Sequence, residues 1–230
     1  MIDPNKAVQK LRKPPAVQNW VKSLRKRRDE TAFALYNFAI NGPRHSLKKI
    51  LDIIGYVVFD ELSDDDAYNC LSRITDPKVR NYGQEIFHVI LPYIKEKNWK
   101  GIQVFKGMEE YYRVAKNVSV PVRPTFVVND RGMITPYFVI GWAEIGLSHY
   151  QRRIMSTVIS DAILSLEEFQ GSEAVIVCVP RFPFSKSERN VVEWKASDYE
   201  ILNDEEKDEL FERYGYALDD AEKMIFDNFR

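Results

Sequence analysis

Residues 120–142 read VPVRPTFVVNDRGMITPYFVIGW, and this stretch decides the fold more strongly than any other. β-Branched and aromatic residues dominate both of its halves, and charged residues are scarce, which is typical of strands covered on both faces. Between the halves, residues 129–132 (Asn-Asp-Arg-Gly) are turn formers. The sequence therefore predicts a β-hairpin whose strands lie deep inside a sheet.

The prolines of this hairpin predict its register. We expect a three-residue loop that ends on Gly132 at positive φ and pairs Phe126 with Pro136. Pro124 then occupies the same kind of position as Pro136, and neither proline costs the hairpin a ladder bond. A two-residue loop would place the prolines in adjacent pairs, so one ladder bond would be lost.

A helix and a second buried strand follow the hairpin. Ser148 and Gln151 are spaced to cap a helix start. Apolar residues then recur at helical spacing, at Ile154, Val158, Ile159, Ala162, Ile163, Leu166 and Phe169. Gly171 suits the left-handed residue after a helix, and residues 174–179 form a short apolar run. Because strand–helix–strand units pair their strands in parallel through a right-handed crossover, we expect the strands ending at 142 and at 179 to run side by side.

The remaining patterns give an α/β (α+β) fold with a central mixed sheet. We expect a helical N-terminal region (1–75), an α/β core (76–200) and an acidic pair of helices packed on the core (201–230), all in one compact unit. Helical patterns cover 16–28, 31–40, the residues after 46, 63–71 and 77–91, and Pro92 should bend or end the last helix. Strand patterns cover 102–105, 111–114 and 191–194, and Gly215 should separate helices at 204–214 and 218–228.

The composition is typical of a soluble globular protein. The chain has 230 residues with 45% hydrophobic content, enough for a substantial core. Its longest apolar run, residues 50–59, contains Asp52 and is too short to span a bilayer, and the first residues lack a secretory-signal pattern. The only cysteines are Cys70 and Cys178, and the second falls in a predicted buried strand. We therefore expect two free thiols and a cytoplasmic protein.

Charge is distributed unevenly along the chain. The net charge is −1, but residues 1–50 contain twelve Lys or Arg and three acids, whereas residues 191–230 contain five bases and thirteen acids. A basic start could bind nucleic acid, another protein, or the acidic tail of the same or a neighbouring chain. The asymmetry therefore predicts a partner without naming it, and a homo-oligomer is one possibility.

The order of predicted elements resembles a known fold. A helix at 77–91, three β segments ending at Trp142, a helix at 148–169 and a strand at 174–179 resemble the core of the restriction-endonuclease-like (PD-(D/E)xK) nucleases. The resemblance implies an Asp on the second core strand and Glu-x-Lys on the third, because two carboxylates share a divalent metal and the lysine stabilises the attacking water. Residues 138–144 read FVIGWAE, with neither the acid nor the lysine in place. Asp130 and Glu144 cannot replace them, since an extended hairpin would hold them roughly 30–40 Å apart.

Three functions follow from these observations. The first is a non-catalytic nuclease-like protein that binds nucleic acid or a protein assembly, as such domains do in mobile-element and defence systems. The second is a nuclease that depends on Mg²⁺ or Mn²⁺, with a displaced site around Glu144 that recruits Glu109 or Glu110 and a cation such as Lys116. The third is a structural or interaction subunit without a nucleic-acid role, in which the oppositely charged ends pair between chains.

Two groups of cations are candidates for nucleic-acid binding. The first lies near Trp20 and comprises Lys22, Arg25, Lys26, Arg27 and Arg28, which could neutralise several phosphates or could simply occupy a solvated helix end. The second is Arg152 and Arg153, at the start of the helix predicted from residue 148. There cations oppose the helix dipole, although an ion pair with Glu144 or Asp161 would also explain them.

Other reactive residue types have simpler interpretations. The acids at 60–61 and 64–66 lack calcium-loop spacing and suit the start of a helix, and the three histidines are isolated, so no metal site and no cofactor are predicted. Cys70 follows an amphipathic pattern and is interpreted as a core residue. Tyr111, Tyr112 and Trp194 could stack on bases, but adjacent strand residues point to opposite faces, so at most one tyrosine serves any one platform.

Overall fold

The computed structural model describes residues 3–42 and 45–228. Within them the helices are α1 (Pro4–Leu11), α2 (Val17–Trp20), α3 (Arg28–Asn41), α4 (Lys48–Val58), α5 (Asp64–Ser72), α6 (Pro77–Lys97), α7 (His149–Ile159) and α8 (Asp204–Asp227). The strands are β1 (Glu110–Ala115), β2 (Val118–Val122), β3 (Phe126–Asp130), β4 (Met133–Ile140), β5 (Val175–Cys178) and β6 (Val192–Lys195). The chain therefore has the predicted α/β class.

The central sheet is mixed and contains four strands in the order β3-β4-β5-β6. The hairpin β3-β4 is antiparallel, β4 and β5 are parallel, and β5 and β6 are antiparallel. The predicted parallel pairing of the strands on either side of α7 is confirmed. This pairing brings the carboxyl ends of β4 and β5 to one edge of the sheet.

The hairpin forms as predicted, but the prediction of a three-residue loop is wrong. Asp130 pairs with Met133, so the loop consists of Arg131 and Gly132 alone. Both residues have positive φ, 54° and 89°, as a type I′ turn requires, and the twist of such a turn matches that of the flanking strands. The Asn129 side chain accepts a hydrogen bond from the Gly132 amide at 2.7 Å, which stabilises the turn.

The shorter loop does cost the hairpin a ladder bond at Pro124. Phe126 pairs with Tyr137, one residue away from its predicted partner, and extending this register places Pro124 opposite Val139. Proline has no amide hydrogen, so it cannot donate to the Val139 carbonyl. The Val139 amide donates to the side chain of Thr125, at Oγ1, at 2.9 Å. Because the lost bond lies beyond Phe126, where β3 begins, the turn geometry rather than the prolines decides the register.

The first half of the quoted stretch is two strands rather than one. β2 ends at Val122 and pairs with β1 in a separate two-stranded sheet, whereas β3 begins at Phe126 in the central sheet. Pro124 lies in the break, where the ladder ends. The strand predicted at 102–105 is also wrong, because residues Gln103–Phe105 form a 3₁₀ turn.

Of the two helices predicted first along the chain, the one at 31–40 is present as the longer α3, whereas the one at 16–28 is broken. α2 passes into a 3₁₀ turn (Val21–Ser23), and the chain is extended at Leu24 before α3 begins, so the continuous helix predicted at 16–28 is wrong. The reason is a competing side chain: Thr31 Oγ1 accepts a hydrogen bond from the Arg25 amide at 3.0 Å. In α6 the helix continues past Pro92 to its end at Lys97.

Two predictions about helix ends have opposite outcomes. The capping box of Ser148 and Gln151 is present at the start of α7, as predicted. After α7 the chain continues as a π-helical turn (Ser160–Leu164) and a 3₁₀ turn (Glu167–Phe169). The predicted break at Gly215 is wrong, because α8 is one helix with buried residues along its whole length. One interior glycine costs a helix only about 1 kcal/mol, which tertiary packing outweighs.

Helices cover both faces of the central sheet. Phe138 and Ile140 of β4 join a core that contains residues of α1, α3, α7 and α8. Tyr137 and Val139 point to the other face and join a core formed with α4, α5 and α6. All four side chains are buried, so the prediction that this strand is covered on both faces is confirmed.

Both cysteines are free thiols, as predicted, and burial raises the pKa of Cys178 to about 11. Among the described residues, no helix is both long enough and apolar enough to cross a membrane.

Candidate functional site

The candidate site lies at the edge of the sheet where β4 and β5 both end. We call this the carboxyl edge; it comprises the loop after β4 (residues 141–148) and the loop after β5 (residues 179–191). In open α/β sheets, ligands bind outside the carboxyl ends of the parallel strands. The polar side chains at this edge are therefore the candidate functional groups.

A buried arginine joins the two loops. Arg189 has a side chain only 1% exposed, and its Nη1 donates to the carbonyls of Val179 at 2.6 Å, Gly141 at 3.2 Å and Trp142 at 3.3 Å. These carbonyls come from the ends of both parallel strands. One guanidinium thus fixes the position of one loop relative to the other.

Glu85 of α6 completes the arrangement by pairing with two arginines. It accepts from Arg189 Nε at 2.9 Å and from Arg181 Nε and Nη2 at 2.9 and 2.7 Å. Both guanidiniums lie against the Tyr82 ring, at 5.1 and 5.8 Å from its centroid. Burial lowers the pKa of Arg189, and the hydrogen bond from Arg189 to Glu85 only partly opposes this shift. For Arg181, the hydrogen bond to Glu85 raises the pKa. With two cations and one carboxylate, the cluster retains one positive charge.

The loop after β5 is a hydrogen-bonded hairpin rather than an open coil. Arg181 and Arg189 form a β-bridge at its base, and the Phe182 amide donates to the Glu188 carbonyl at 2.9 Å. At its tip the Ser185 amide donates to the Phe182 carbonyl at 3.0 Å, and Ser185 Oγ accepts from the Glu188 amide at 2.8 Å. We call residues 180–190 the clamped hairpin, because Glu85 holds both arginines at its base.

Two phenylalanines project from the clamped hairpin into solvent. Phe182 is 46% exposed, and Phe184 is exposed to the full extent that a side chain can be. Phe184 also has a φ of +68°, a backbone region that a bulky side chain rarely occupies. An aromatic ring that contributes nothing to the core, held by an unfavourable backbone conformation, points to a functional position.

The basic N-terminal turn reaches the same edge. Lys22 Nζ lies 3.8 Å from the centroid of the Trp142 ring, in the loop after β4. Much of the Lys22 side chain is exposed, yet removal of its ammonium from water lowers its pKa, and the charge of Glu144 opposes this shift. Gln151 Nε2 donates to the Leu24 carbonyl at 3.0 Å, which fixes the turn against the start of α7. The structure therefore places Lys22 against Trp142 at this edge, and no ion pair joins Lys22 to an acid among the described residues.

The five predicted cations of this turn have different surroundings. Arg27 pairs with Asp29 at 2.6 Å, and Arg28 binds both carboxylate oxygens of Asp220 at 2.6 Å. Arg25 donates to the carbonyls of Lys22 and Leu24, at 2.6 and 2.8 Å, and so closes its own turn. Lys26 is exposed and forms no ion pair with a described residue. The five cations do not act as one free cluster.

The basic start and the acidic C-terminal helix meet within one chain. Besides the Arg28–Asp220 pair, Arg12, which follows α1, bonds to Glu222 at 2.5 Å and to Asp219 at 3.3 Å. Both acids belong to α8. The charge asymmetry of the sequence is thus partly neutralised inside the fold.

The second predicted pair of cations, Arg152 and Arg153, lies on α7 and is largely occupied. Arg152 Nη1 donates to the Tyr199 hydroxyl at 2.6 Å, and its guanidinium lies 5.8 Å from the Trp194 ring centroid. Arg153 binds Glu206 of α8 at 3.0 and 3.2 Å. The prediction that these arginines pair with Glu144 or Asp161 is therefore wrong. Asp161 instead accepts from the Tyr112 hydroxyl at 2.8 Å and pairs with Lys207 at 3.4 Å.

The residues of the displaced nuclease site lie on different segments of the fold. Glu144 is an exposed loop residue after β4, whereas Glu110 begins β1 and Lys116 follows it, in the other sheet. Lys116 lies six positions along the chain from Glu110, which corresponds to about 20 Å in an extended strand. Within residues 3–42 and 45–228, no group of three or more His, Cys, Asp or Glu could hold a metal ion.

Lys116 lines a different surface feature. An open groove of about 670 Å³ lies between α8 and the β1–β2 turn, with Arg12, Asp219 and Tyr216 also in its walls. Its walls carry two cations, Arg12 and Lys116, and two acids, Glu212 and Asp219, so its charges balance. Arg28 already lies over the exposed Tyr216 ring, 5.0 Å from its centroid, so we do not place the candidate site there.

The simpler interpretations of other residues mostly agree with the structure. Ser63 caps α5, and the acids at 64–66 form its first turn, as predicted. Cys70 is half-buried beside the second core. Tyr111 is exposed, whereas Tyr112 is partly buried and Trp194 is buried, so only Tyr111 offers a free ring.

Sequence reasoning missed the clamped hairpin entirely. The stretch 181–189, RFPFSKSER, follows a predicted interior strand and mixes phenylalanine with cations and turn formers. Exposed aromatics in a polar loop are a signal for binding, but the phenylalanines could equally have been core residues. Glu85 and Tyr82 gave no sequence signal, because they meet the hairpin only in the folded chain.

The sequence matches no known protein-family model and shows no significant match to a curated protein.

Proposed function

We propose that this protein is a non-catalytic nucleic-acid-binding protein and that it binds through the carboxyl edge. One observation carries the proposal: exposed aromatic rings share this edge with cations that lack acidic partners. Phe182 and Phe184 provide the rings. Lys186 and Lys22 provide the charges, with Lys26 in the same exposed turn as Lys22, and none of the three pairs with an acid among the described residues.

Nucleic acid is the ligand whose chemistry fits this combination. Phosphates are attracted to lysine and arginine, and the flat faces of bases stack on aromatic rings. The single positive charge left on the cluster of Glu85, Arg181 and Arg189 adds to the attraction. The paired cations Arg27 and Arg28 contribute less, because Asp29 and Asp220 already neutralise them.

Fluorescence anisotropy with labelled DNA or RNA, as single strands and duplexes, at about 50 and 200 mM salt tests the proposal. We expect binding at low salt that weakens as salt rises, because phosphate contacts release counterions. The variant Lys26→Ala/Lys186→Ala should bind more weakly, and the slope of log affinity against log salt should fall by about 1.4 for a single strand, or 0.7 for each lost contact.

The matched control is Lys100→Ala/Lys195→Ala. It removes the same charge at the opposite end of the sheet: Lys100 adjoins Gly101, which bridges to Val128, and Lys195 pairs with Val175 at the start of β5. The control should bind like the unaltered protein. Absence of binding at low salt, or equal losses in both double variants, would reject the proposal.

The nuclease-like origin and the mobile-element or defence setting stay part of the proposal. The parallel pairing of β4 and β5 across α7 supports the resemblance, and the free thiols support a cytoplasmic location. We expect no DNA cleavage with Mg²⁺ or Mn²⁺. Metal-dependent cleavage abolished by Glu144→Ala would instead favour the nuclease alternative.

The interaction-subunit alternative has less specific support. Its motivating observation was the opposite charge of the two ends, and Arg12 and Arg28 pair with α8 within the same chain. Sedimentation that shows salt-sensitive self-association would favour that alternative over ours.

A further inference from the structure

We infer that the nucleic acid is single-stranded and that Phe182 and Phe184 stack on its unpaired bases; this inference rests on the proposed function. It names the form of nucleic acid and assigns a role to two residues at the carboxyl edge. Three features of the clamped hairpin carry it: the position of the rings, their chemistry and the surrounding charge.

The rings are held outward by the fold. The backbone bonds of residues 182–188 define the hairpin, and Glu85 fixes both arginines at its base. The positive φ of Phe184 keeps the residue at the tip in a conformation that its side chain disfavours. Such a preorganised ring loses little conformational freedom when a base stacks on it.

A phenyl ring selects unpaired bases by its chemistry. It has no donor or acceptor with which to contact a phosphate or to read a base edge in a groove. Its flat face can stack on a base, but in a duplex each base is already stacked on its neighbours. Exposed bases of single strands offer that face, and stacking on them tolerates any sequence.

The charge around the rings favours a polyanion over an apolar partner. The clamped hairpin carries three cations, Arg181, Lys186 and Arg189, and one acid, Glu188. Glu85 neutralises one of the cations, so the hairpin and its clamp retain one positive charge. A strand whose bases lie on the two phenylalanines could thus place phosphates near Arg181 and Lys186.

The experiment compares a 12-nucleotide single strand with the corresponding duplex in the anisotropy assay. Phe184→Leu and Phe182→Leu/Phe184→Leu keep apolar area but remove the rings. Stacking predicts a loss of single-strand affinity of about 5- to 150-fold for each ring. Duplex affinity and the salt slope should not change, because no phosphate contact is removed. Phe184→Trp is the conservative control and should keep the affinity.

A second arm removes the bases instead of the rings. A strand with abasic sites should bind the unaltered protein as weakly as the intact strand binds the double Leu variant, and that variant should not discriminate between the strands. Since both phenylalanines are exposed, folding should be unaffected, which circular dichroism and the urea midpoint verify.

The outcomes separate this inference from the function on which it rests. Salt-sensitive binding that the lysine variant weakens, with no effect of either Leu variant, would retain the proposed function and overturn the stacking role. Equal affinity for duplex and single strand would overturn it as well. If instead the protein self-associates and Phe184→Leu abolishes association without altering nucleic-acid binding, the ring is a protein contact and the inference is wrong.

Discussion

The clamp at the base of the hairpin gives the sharpest prediction, and Glu85→Gln is the change that tests it. The carboxylate accepts from two guanidiniums, and one of them, on Arg189, is almost fully removed from water. A glutamine amide offers one acceptor oxygen and turns an NH₂ group toward an arginine. The substitution therefore leaves the buried Arg189 without its compensating charge.

The expected cost follows from the burial. Removing one partner of a buried ion pair typically costs 3–5 kcal/mol. Because Arg189 keeps its three carbonyl acceptors and the Glu85 side chain retains 13% exposure, we place the loss in the free energy of unfolding at about 3 kcal/mol. The matched variant Arg181→Gln removes the more exposed arginine and leaves the Arg189–Glu85 bond intact. Solvent screening limits that loss to about 1 kcal/mol.

Urea denaturation followed by tryptophan fluorescence measures both variants. With a slope near 3 kcal/mol per molar, the midpoint of Glu85→Gln should fall by about 1 M and that of Arg181→Gln by about 0.3 M. Hydrogen exchange should also show faster exchange of the Phe182 and Glu188 amides in the Glu85 variant. Equal midpoints for the two variants would refute the reasoning, because the cost would then not depend on the buried charge.

Three further predictions concern other parts of the fold. Gly215→Ala should raise the free energy of unfolding by about 0.5–1 kcal/mol, because the added methyl meets only an alanine at 4.0 Å. Gly83→Ala should instead lower the urea midpoint, since its methyl would lie 2.8 Å from a buried leucine. A lower urea midpoint for Gly215→Ala would contradict this prediction. In the native protein, iodoacetamide at pH 8 should label Cys70 well before Cys178, whose pKa is raised to about 11 by burial, and mass spectrometry showing equal rates would count against the buried strand. The hydrogen bond from Arg153 lowers the pKa of Glu206 from its usual 4.5. The negative charge of Glu206 therefore stabilises the folded state above pH 4.5, and this stabilisation is lost as the pH falls through the lowered pKa. Glu206→Gln should therefore be destabilising at pH 7 and lose its effect as the pH falls below the lowered pKa, and a pH-independent effect in thermal unfolding would be inconsistent with this.

The sequence predicted those parts of the fold that depend on local pattern. The continuous run of buried residues in β4 and the capping box at Ser148 follow from local sequence pattern, and both are present. The register of the hairpin was not predictable from its prolines, because the bond that Pro124 cannot donate lies beyond the start of β3 and costs the paired strands nothing. Gly215 likewise gave a misleading local signal, since packing along α8 outweighs the helix preference of one residue.

The site was less predictable, because its contacts span the chain. Arg28 meets its partner 192 residues away, and nothing near Arg28 in the sequence indicates that an acid will neutralise it. Glu85 and Arg189 are 104 residues apart and meet only when β5 lies beside β4. Lys22 was identified from its neighbours in sequence, but its position against Trp142 depends on the whole N-terminal turn. Phe184 could not be distinguished from a core residue until its exposure was seen.

Photocrosslinking tests the central claim most directly. A single strand with 5-bromouracil at each position would be bound at low salt, irradiated and digested, and the crosslinked peptides identified by mass spectrometry. Crosslinks should concentrate in residues 180–190, on Phe182 and Phe184, with a second set at Trp142. Crosslinks confined to the groove between α8 and the β1–β2 turn, or spread evenly over the surface, would contradict binding at the carboxyl edge.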